Sequence, residues 1–338
     1  MSFDQVRLWR RLMGVREVAA RNFEELGLVN TRGILKKALK NRYAVPGYNF
    51  YNLEQVQGIL YGCAESNSPV ILQILRGNLN YTNLACLMSM VKGAIQSIRE
   101  KGSNIPVALN LDHGDNLEIC RICVDWGFSS VMIDGSFLPY EENVRLTRSV
   151  VEYAHEYDVS VEGELGGIAG IEERVTPEEK FTKPNEVDDF ISRTEVDSLA
   201  ISIGTAHGAY KFKLEEGSPR LRFDILDEIR ERVGSFPLVL HGASSVPSNY
   251  VDMINTYGGN MVSTVGVRED QLQEAIRRGI CKINFDTDIK LIFTAITRKF
   301  LAEHPGEYDP KKYLEIARNE LKDYIKRKNE ILFSAGRA

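Results

Sequence analysis

The sequence is short of several things, and each shortage excludes a class of protein. No apolar run in its 338 residues approaches the roughly 20 needed for a membrane-spanning helix. No basic surplus exists either: the formal net charge is -5, which leaves no broad positive field for nucleic acid. An anionic ligand would therefore need a local cationic pocket. Cysteines number five, an odd count with no secretory leader in evidence, so reduced thiols and a cytoplasmic setting are expected. Cys120 and Cys123 form a lone CxxC without a second pair. They read as small apolar residues on one helix face. Low-complexity segments and internal repeats are lacking as well.

What is present is ordinary in bulk and ordered in detail. Hydrophobic content is 43% and charged content 26%, as in soluble globular chains. The first thirty residues are rich in Arg but also carry Asp4, Glu17, Glu24 and Glu25, unlike a transit peptide. Residues 1–30 read as an N-terminal helical extension and 31–338 as one domain.

Eight short β-branched runs recur along that domain: 43–50, 69–75, 107–112, 130–134, 160–165, 198–203, 237–240 and 282–286. Near-continuous apolar strands point to a parallel sheet buried on both faces. Helical patterns separate the runs. In the segment 143–157, for example, Val144, Thr147, Val151 and Ala154 share a face. Eight such units without a compositional break predict an α/β fold, a TIM (β/α)8 barrel closed by C-terminal helices after Lys290. Two stretches exceed the short-loop rule, at 166–184 and around 258–266, and long loops at that end of a barrel are commonly functional.

Reacting groups in this fold project from the C-terminal ends of the strands. The third run ends in Asp112-His113-Gly114, the sixth leads to His207-Gly208, and the seventh ends in His241-Gly242. One loop histidine alone would more often bond to backbone. Three of the chain's five at the same barrel face suggest a catalytic zinc set with an open position. His155, in a helical pattern, and His304, near a surface turn, read as structural or solvated. Carboxylates lie nearby: Asp112 beside His113, Glu164 at the end of the fifth run, and Glu172 and Glu173 in the long loop after it. A carboxylate on such a loop can serve as acid or base on closure. Gly208, Lys211, Gly242, Ser244 and the Asn284–Thr287 turn offer amides, a hydroxyl and one ammonium to a phosphate.

The ordered motifs YAVPGYNF, SPVILQ, LDHGD, SSVMIDGS, VEGELG, GIEE, IGTAHGAYKFK, LVLHGASSVP and KINFDTD resemble the class II fructose-bisphosphate aldolases, in particular the class IIB subgroup, over roughly residues 28–330. The resemblance implies zinc on His113, His207 and His241, with Glu164 near an alternate metal position. It implies Asp112 and Glu173 as proton-transfer groups for C4 and C3 of the ketose. Asn49, Gly208, Lys211, Gly242, Ser244, Asn284, Asp286, Thr287, Lys290 and Lys311 would bind substrate. A monovalent cation, Na⁺ or K⁺, would sit near the phosphate loops, and a homodimer or homotetramer is implied. No Lys stands in the sixth run, SLAISIG, for the Schiff-base route of class I aldolases.

The family pattern is altered where the far phosphate would lie. Leu75 replaces a common Ser, Lys290 and Lys311 replace common arginines, and Phe137 stands in the GSFL segment. Fructose 1,6-bisphosphate is the expected substrate. Tagatose bisphosphate or another ketose phosphate, a zinc-dependent hydrolase and an inactive barrel are the alternatives.

Overall fold

In the computed structural model, residues 22–167, 181–207, 212–213, 220–262 and 264–338 are described. Their eight principal strands are β1 Val45–Asn49, β2 Val70–Leu75, β3 Val107–Gly114, β4 Ser130–Ile133, β5 Ser160–Leu165, β6 Ser198–Ile201, β7 Leu238–Leu240 and β8 Ile280–Phe285. They pair in parallel in chain order, and β8 pairs with β1 to close the barrel. The expected fold class is the observed one.

The strand ends depart from the sequence runs. β3 continues through His113 to Gly114, while β6 stops at Ile201 and β8 begins at Ile280. A two-residue antiparallel ribbon, Phe212–Lys213 with Thr264–Val265, had no signal in the sequence. Of the N-terminal extension, residues 1–21 lie outside the described part.

The helices are α1 Thr31–Asn41, α2 Leu53–Glu65, α3 Arg76–Thr82, α4 Leu84–Glu100, α5 Leu117–Asp125 and α6 Tyr140–His155, then α7 Pro184–Thr194, α8 Phe223–Val233, α9 Ser248–Thr256, α10 Glu269–Arg277, α11 Thr287–Glu303 and α12 Pro310–Ile331. In α6 the expected face, Val144, Thr147, Val151 and Ala154, is buried. Cys120 and Cys123 are buried in α5 as free thiols.

Alternation along the strands builds two cores. Leu72, Ile74, Leu109, Leu111, Val131 and Ile133 face outward into the main cluster with the surrounding helices. Val45, Ile71, Ala108 and Cys281 instead meet Ile34, Leu35 and Ala38 of α1. That helix therefore plugs the end of the barrel where the strands begin, which leaves the opposite mouth for chemistry. The C-terminal α12 lies against α2 so closely that a Cβ on Gly62 would come within 2.7 Å of Ile325 and of the Lys322 carbonyl. Only a glycine permits that approach, and it sets the position of every residue farther along α12.

Candidate metal centre and active site

Asp112 and His113 are consecutive in β3, yet both line the same cavity. A regular pleat would send them to opposite faces. His113 has φ 51°, a left-handed conformation that costs a side-chain-bearing residue about 1–3 kcal/mol. The β3–β4 register shifts between Leu111 and Gly114. This kink turns the imidazole in beside the carboxylate.

His241 follows β7 directly and is 1% exposed, and His207 lies beyond β6. The His113 ring centroid is 4.9 Å from that of His207 and 4.8 Å from that of His241. One nitrogen from each of the three rings falls within 4.8 Å of the others. His113 Nε2 and His241 Nδ1 are 3.1 Å apart.

The other ring nitrogens face carboxylates. His113 Nδ1 is 2.9 Å from Asp134 Oδ2, and His241 Nε2 is 2.7 Å from Glu162 Oε1. Asp134 is steadied by the Ser136 amide and hydroxyl at 3.1 and 2.7 Å. Glu162 Oε2 accepts from Lys282 Nζ at 2.7 Å. Such partners fix which nitrogen points inward and raise its basicity, as behind metal-bound histidines generally. Sequence reasoning passed over Asp134, Glu162 and Lys282. Their signal was inward alternation: Glu162 is two residues before Glu164 in β5, and Asp134 immediately follows β4.

The electrostatics agree with this order. Burial alone would lower the His113 pKa, but the Asp112 charge, the Asp134 hydrogen bond and Glu164 outweigh it and push it up to about 10. His241 is lowered, chiefly by burial. Glu162 is held down at about 2 against its burial by Lys282 and His241. Glu164, buried and facing Asp134, is raised well above the usual carboxylate range.

Beside the imidazoles, two buried carboxylate oxygens have no hydrogen-bond partner among the described residues: Asp112 Oδ1 and Glu164 Oε2. The first is 4.0 Å from His113 Nε2 and the second 3.8 Å from His113 Nδ1. Unpaired carboxylate oxygens beside converging imidazoles fit a divalent cation and a hydroxylated ligand, since burying them idle would be costly. His113, Asp134 and Glu164 form a second group at ligand spacing. Asp112 Oδ2 accepts from Asn49 Nδ2 at 2.8 Å, so its other oxygen keeps its aim.

The cavity holds about 220 Å³. Besides the three histidines and Asp112 it brings together Asn49, Gly242, Ser244, Asn284, Asp286 and Thr287, with Leu75 as an apolar wall. A second cavity of about 230 Å³ shares Leu75, His113 and His207 and adds Asp115, Ser136, Phe137 and Glu164. Lys290 stands at the rim. Its Nζ is 2.6 Å from Asp286 Oδ2 and lies over the Tyr51 ring, and Tyr51 donates to the other Asp286 oxygen at 2.5 Å. Lys311 is not brought in: its side chain is 86% exposed, near Asp309 of its own helix cap, and it lines neither cavity. Glu172, Glu173, Gly208 and Lys211 lie outside the described residues. His155 pairs with Asp197 on the outer surface, and His304 ends α11.

Comparison with known proteins places these features. Residues 29–337 match the family model described as fructose-bisphosphate aldolase class-II. A fructose-bisphosphate aldolase of Treponema pallidum is 51% identical over 331 residues, 94% of this chain and 99% of that one. A fructose-bisphosphate aldolase of Giardia intestinalis is 45% identical over 311 residues, 92% of this chain and 94% of its own length. Among solved structures, the YdjI aldolase of Escherichia coli K12 superposes with a TM-score of 0.72 at 27% identity, covering 92% of this chain and 99% of that one.

Proposed function

Since this chain belongs to the class-II fructose-bisphosphate aldolase family, it is an aldolase, and we propose that its site cleaves fructose 1,6-bisphosphate reversibly into dihydroxyacetone phosphate and glyceraldehyde 3-phosphate. The observation that carries this reading is Asp112 Oδ1, buried and unpaired beside the three imidazoles in a cavity that also holds Ser244 and Thr287.

His113, His207 and His241 would hold the ion, which we take as Zn²⁺ from the all-nitrogen set. Bound there, it would supply Lewis acidity toward the ketose carbonyl. Glu164, grouped with His113 and Asp134 at ligand spacing, would be a reserve ligand. Asp112 Oδ1 takes the C4 hydroxyl proton as the C3–C4 bond breaks, and the C4 oxygen becomes the aldehyde carbonyl. The electron pair left on C3 takes a proton, a step we assign to Glu173. In condensation both protons move the other way. Asn49 orients Asp112 through the Nδ2 hydrogen bond.

Gly242, Ser244 and Thr287 at the cavity wall, with Gly208 and Lys211, would hold the C1 phosphate through amides, hydroxyls and one ammonium. A monovalent cation beside those loops belongs to the same proposal. Asn284 and Asp286 would bond the sugar hydroxyls, and Lys290 would meet the far phosphate. Lys311, which lines neither cavity, would meet the substrate from a second copy of the chain, in a homodimer or homotetramer. Among the described residues no helix is long and apolar enough to cross a membrane.

The test is release of dihydroxyacetone phosphate by chelated and zinc-restored enzyme. Fructose 1,6-bisphosphate is compared with tagatose 1,6-bisphosphate, fructose 1-phosphate and modified ketoses. A higher kcat/KM for another ketose would reassign the substrate, and full activity after chelation would overturn the metal.

A further inference from the structure

Two lysines are buried among the described residues, and the site accounts for only one, Lys282. The other, Lys328, belongs to α12 and is remote in sequence from every strand end. Its side chain is 1% exposed. Nζ meets Ser245 Oγ at 3.1 Å and Glu269 Oε1 at 2.9 Å, between the rings of Phe285 and Tyr324 at 5.5 and 5.3 Å. Burying an ammonium is costly, and an apolar residue would join the helix to the barrel at less expense.

What Lys328 touches is the turn after β7. Asp288, fully buried, accepts from the Ser245 amide at 3.0 Å and the Val246 amide at 2.9 Å, and Tyr324 of α12 donates to it at 2.7 Å. Val246 is held at φ 48°. From the other side, the Val267 amide donates to the Ser244 carbonyl at 3.2 Å. A Cβ on Gly266 would stand 2.2 Å from that carbonyl, so the two segments are in closest contact there. Thr264–Val265 in turn pairs with Phe212–Lys213, the strand beyond His207. The turn carrying Ser244 is thereby clamped between α12 and the ribbon.

Lys328 completes the clamp at the side chain of Ser245. Asp288 accepts from the backbone amides of Ser245 and Val246, and Lys328 Nζ, its charge paired with Glu269, donates to the Ser245 hydroxyl.

We propose that Lys328 is a positioning residue for the anion-binding turn: it fixes Ser245, so that Gly242 and Ser244 face the phosphate. Substrate phosphate affinity, and not bond cleavage, depends on it. The proposal rests on the reading that Gly242, Ser244 and Thr287 hold the phosphate of the substrate.

The experiment compares zinc-loaded full-length Lys328→Met and Ser244→Ala with the unaltered enzyme. It measures KM and kcat for fructose 1,6-bisphosphate and the competitive inhibition constant of inorganic phosphate. Loss of a charge-assisted contact predicts that Lys328→Met raises both KM and the phosphate constant about tenfold. Its kcat should stay within about threefold and its zinc content should not change. If Ser244→Ala raises both constants and Lys328→Met raises neither, the role of Lys328 is overturned while the phosphate site stands. If Ser244→Ala raises neither, the phosphate site itself is misread. A fall in kcat with KM unchanged would also overturn the proposal. Should Lys328→Met fail to fold, Ser245→Ala carries the same comparison. It removes the hydroxyl partner and keeps the charge, and an unchanged KM would then decide against the clamp.

Discussion

The Glu162 carboxylate and the His241 imidazole meet at 2.7 Å in the barrel interior, where their side chains are 3% and 1% exposed. The second oxygen of Glu162 is committed to Lys282, so it cannot rotate to serve another group. His241 is thereby restricted to presenting Nδ1 toward His113. Replacing Glu162 with Gln, together with Lys282→Met so that no buried ammonium is left alone, should weaken metal binding about 10–100-fold. Competition against a chelator of known affinity measures this. Equal affinity in the variant would mean that Asn284, 3.2 Å from His241 Nδ1, suffices to orient the ring.

His207→Ala should remove bound zinc and activity while leaving the barrel folded. The ring belongs to the three-histidine group and lines both cavities. Metal analysis of the purified variant, alongside its circular dichroism, reads the outcome. A full zinc complement would refute the ligand set.

Asp112→Ala should keep zinc and bind substrate, yet lose about 10²–10⁴-fold in turnover, the usual contribution of a general acid or base. Near-normal cleavage would show that a different group moves the C4 proton. Asn49, whose Nδ2 contacts only the outer oxygen of Asp112, should give a smaller loss when changed to Ala.

Leu75 lines both cavities and offers no hydroxyl, and Lys290 presents a point charge where a guanidinium would offer a fork. Leu75→Ser with Lys290→Arg should raise the preference for fructose 1,6-bisphosphate over fructose 1-phosphate about tenfold in kcat/KM. If the unaltered enzyme already discriminates strongly and the double variant adds nothing, Lys290 is an adequate phosphate ligand.

Asp197 ties α1 and α6 to the sheet. It accepts from Arg32 Nε at 2.7 Å and the Val161 amide at 2.8 Å, and it lies 2.9 Å from His155 Nε2. Burial would raise its pKa, but His155, Arg32 and the amide together hold it below the ordinary value. A depressed pKa means that the folded chain binds fewer protons than the unfolded one. Its stabilisation is therefore present above the ordinary carboxylate pKa of about 3.9 and is lost as pH falls below it. Melting temperature should drop below about pH 4, and Asp197→Asn should flatten that drop while lowering the melting temperature at neutral pH. Parallel acid profiles for the two proteins would dismiss Asp197 as the sensitive group.

Much of this protein was legible without coordinates because its signals are local. Eight apolar runs separated by amphipathic segments specify parallel strands under helices, and the strand-end rule then selects His113, His207 and His241 from five histidines. Closure of the barrel adds what no run contains. Asp134, Glu162 and Lys282 read as unremarkable strand residues until the circle sets them behind the rings, since inward alternation becomes a shared interior only when β8 meets β1. The left-handed turn at His113, which puts two successive residues on one face, likewise follows from the β3–β4 register shift and not from residue preference. Lys328 shows the same division. In sequence it is one of several cations on a charged helix, and only the close seating of α12 against Gly62 places it beneath Ser245. Local propensity and periodicity determined which elements form. Burial, a property of the assembled barrel, decided which of their charges face one another.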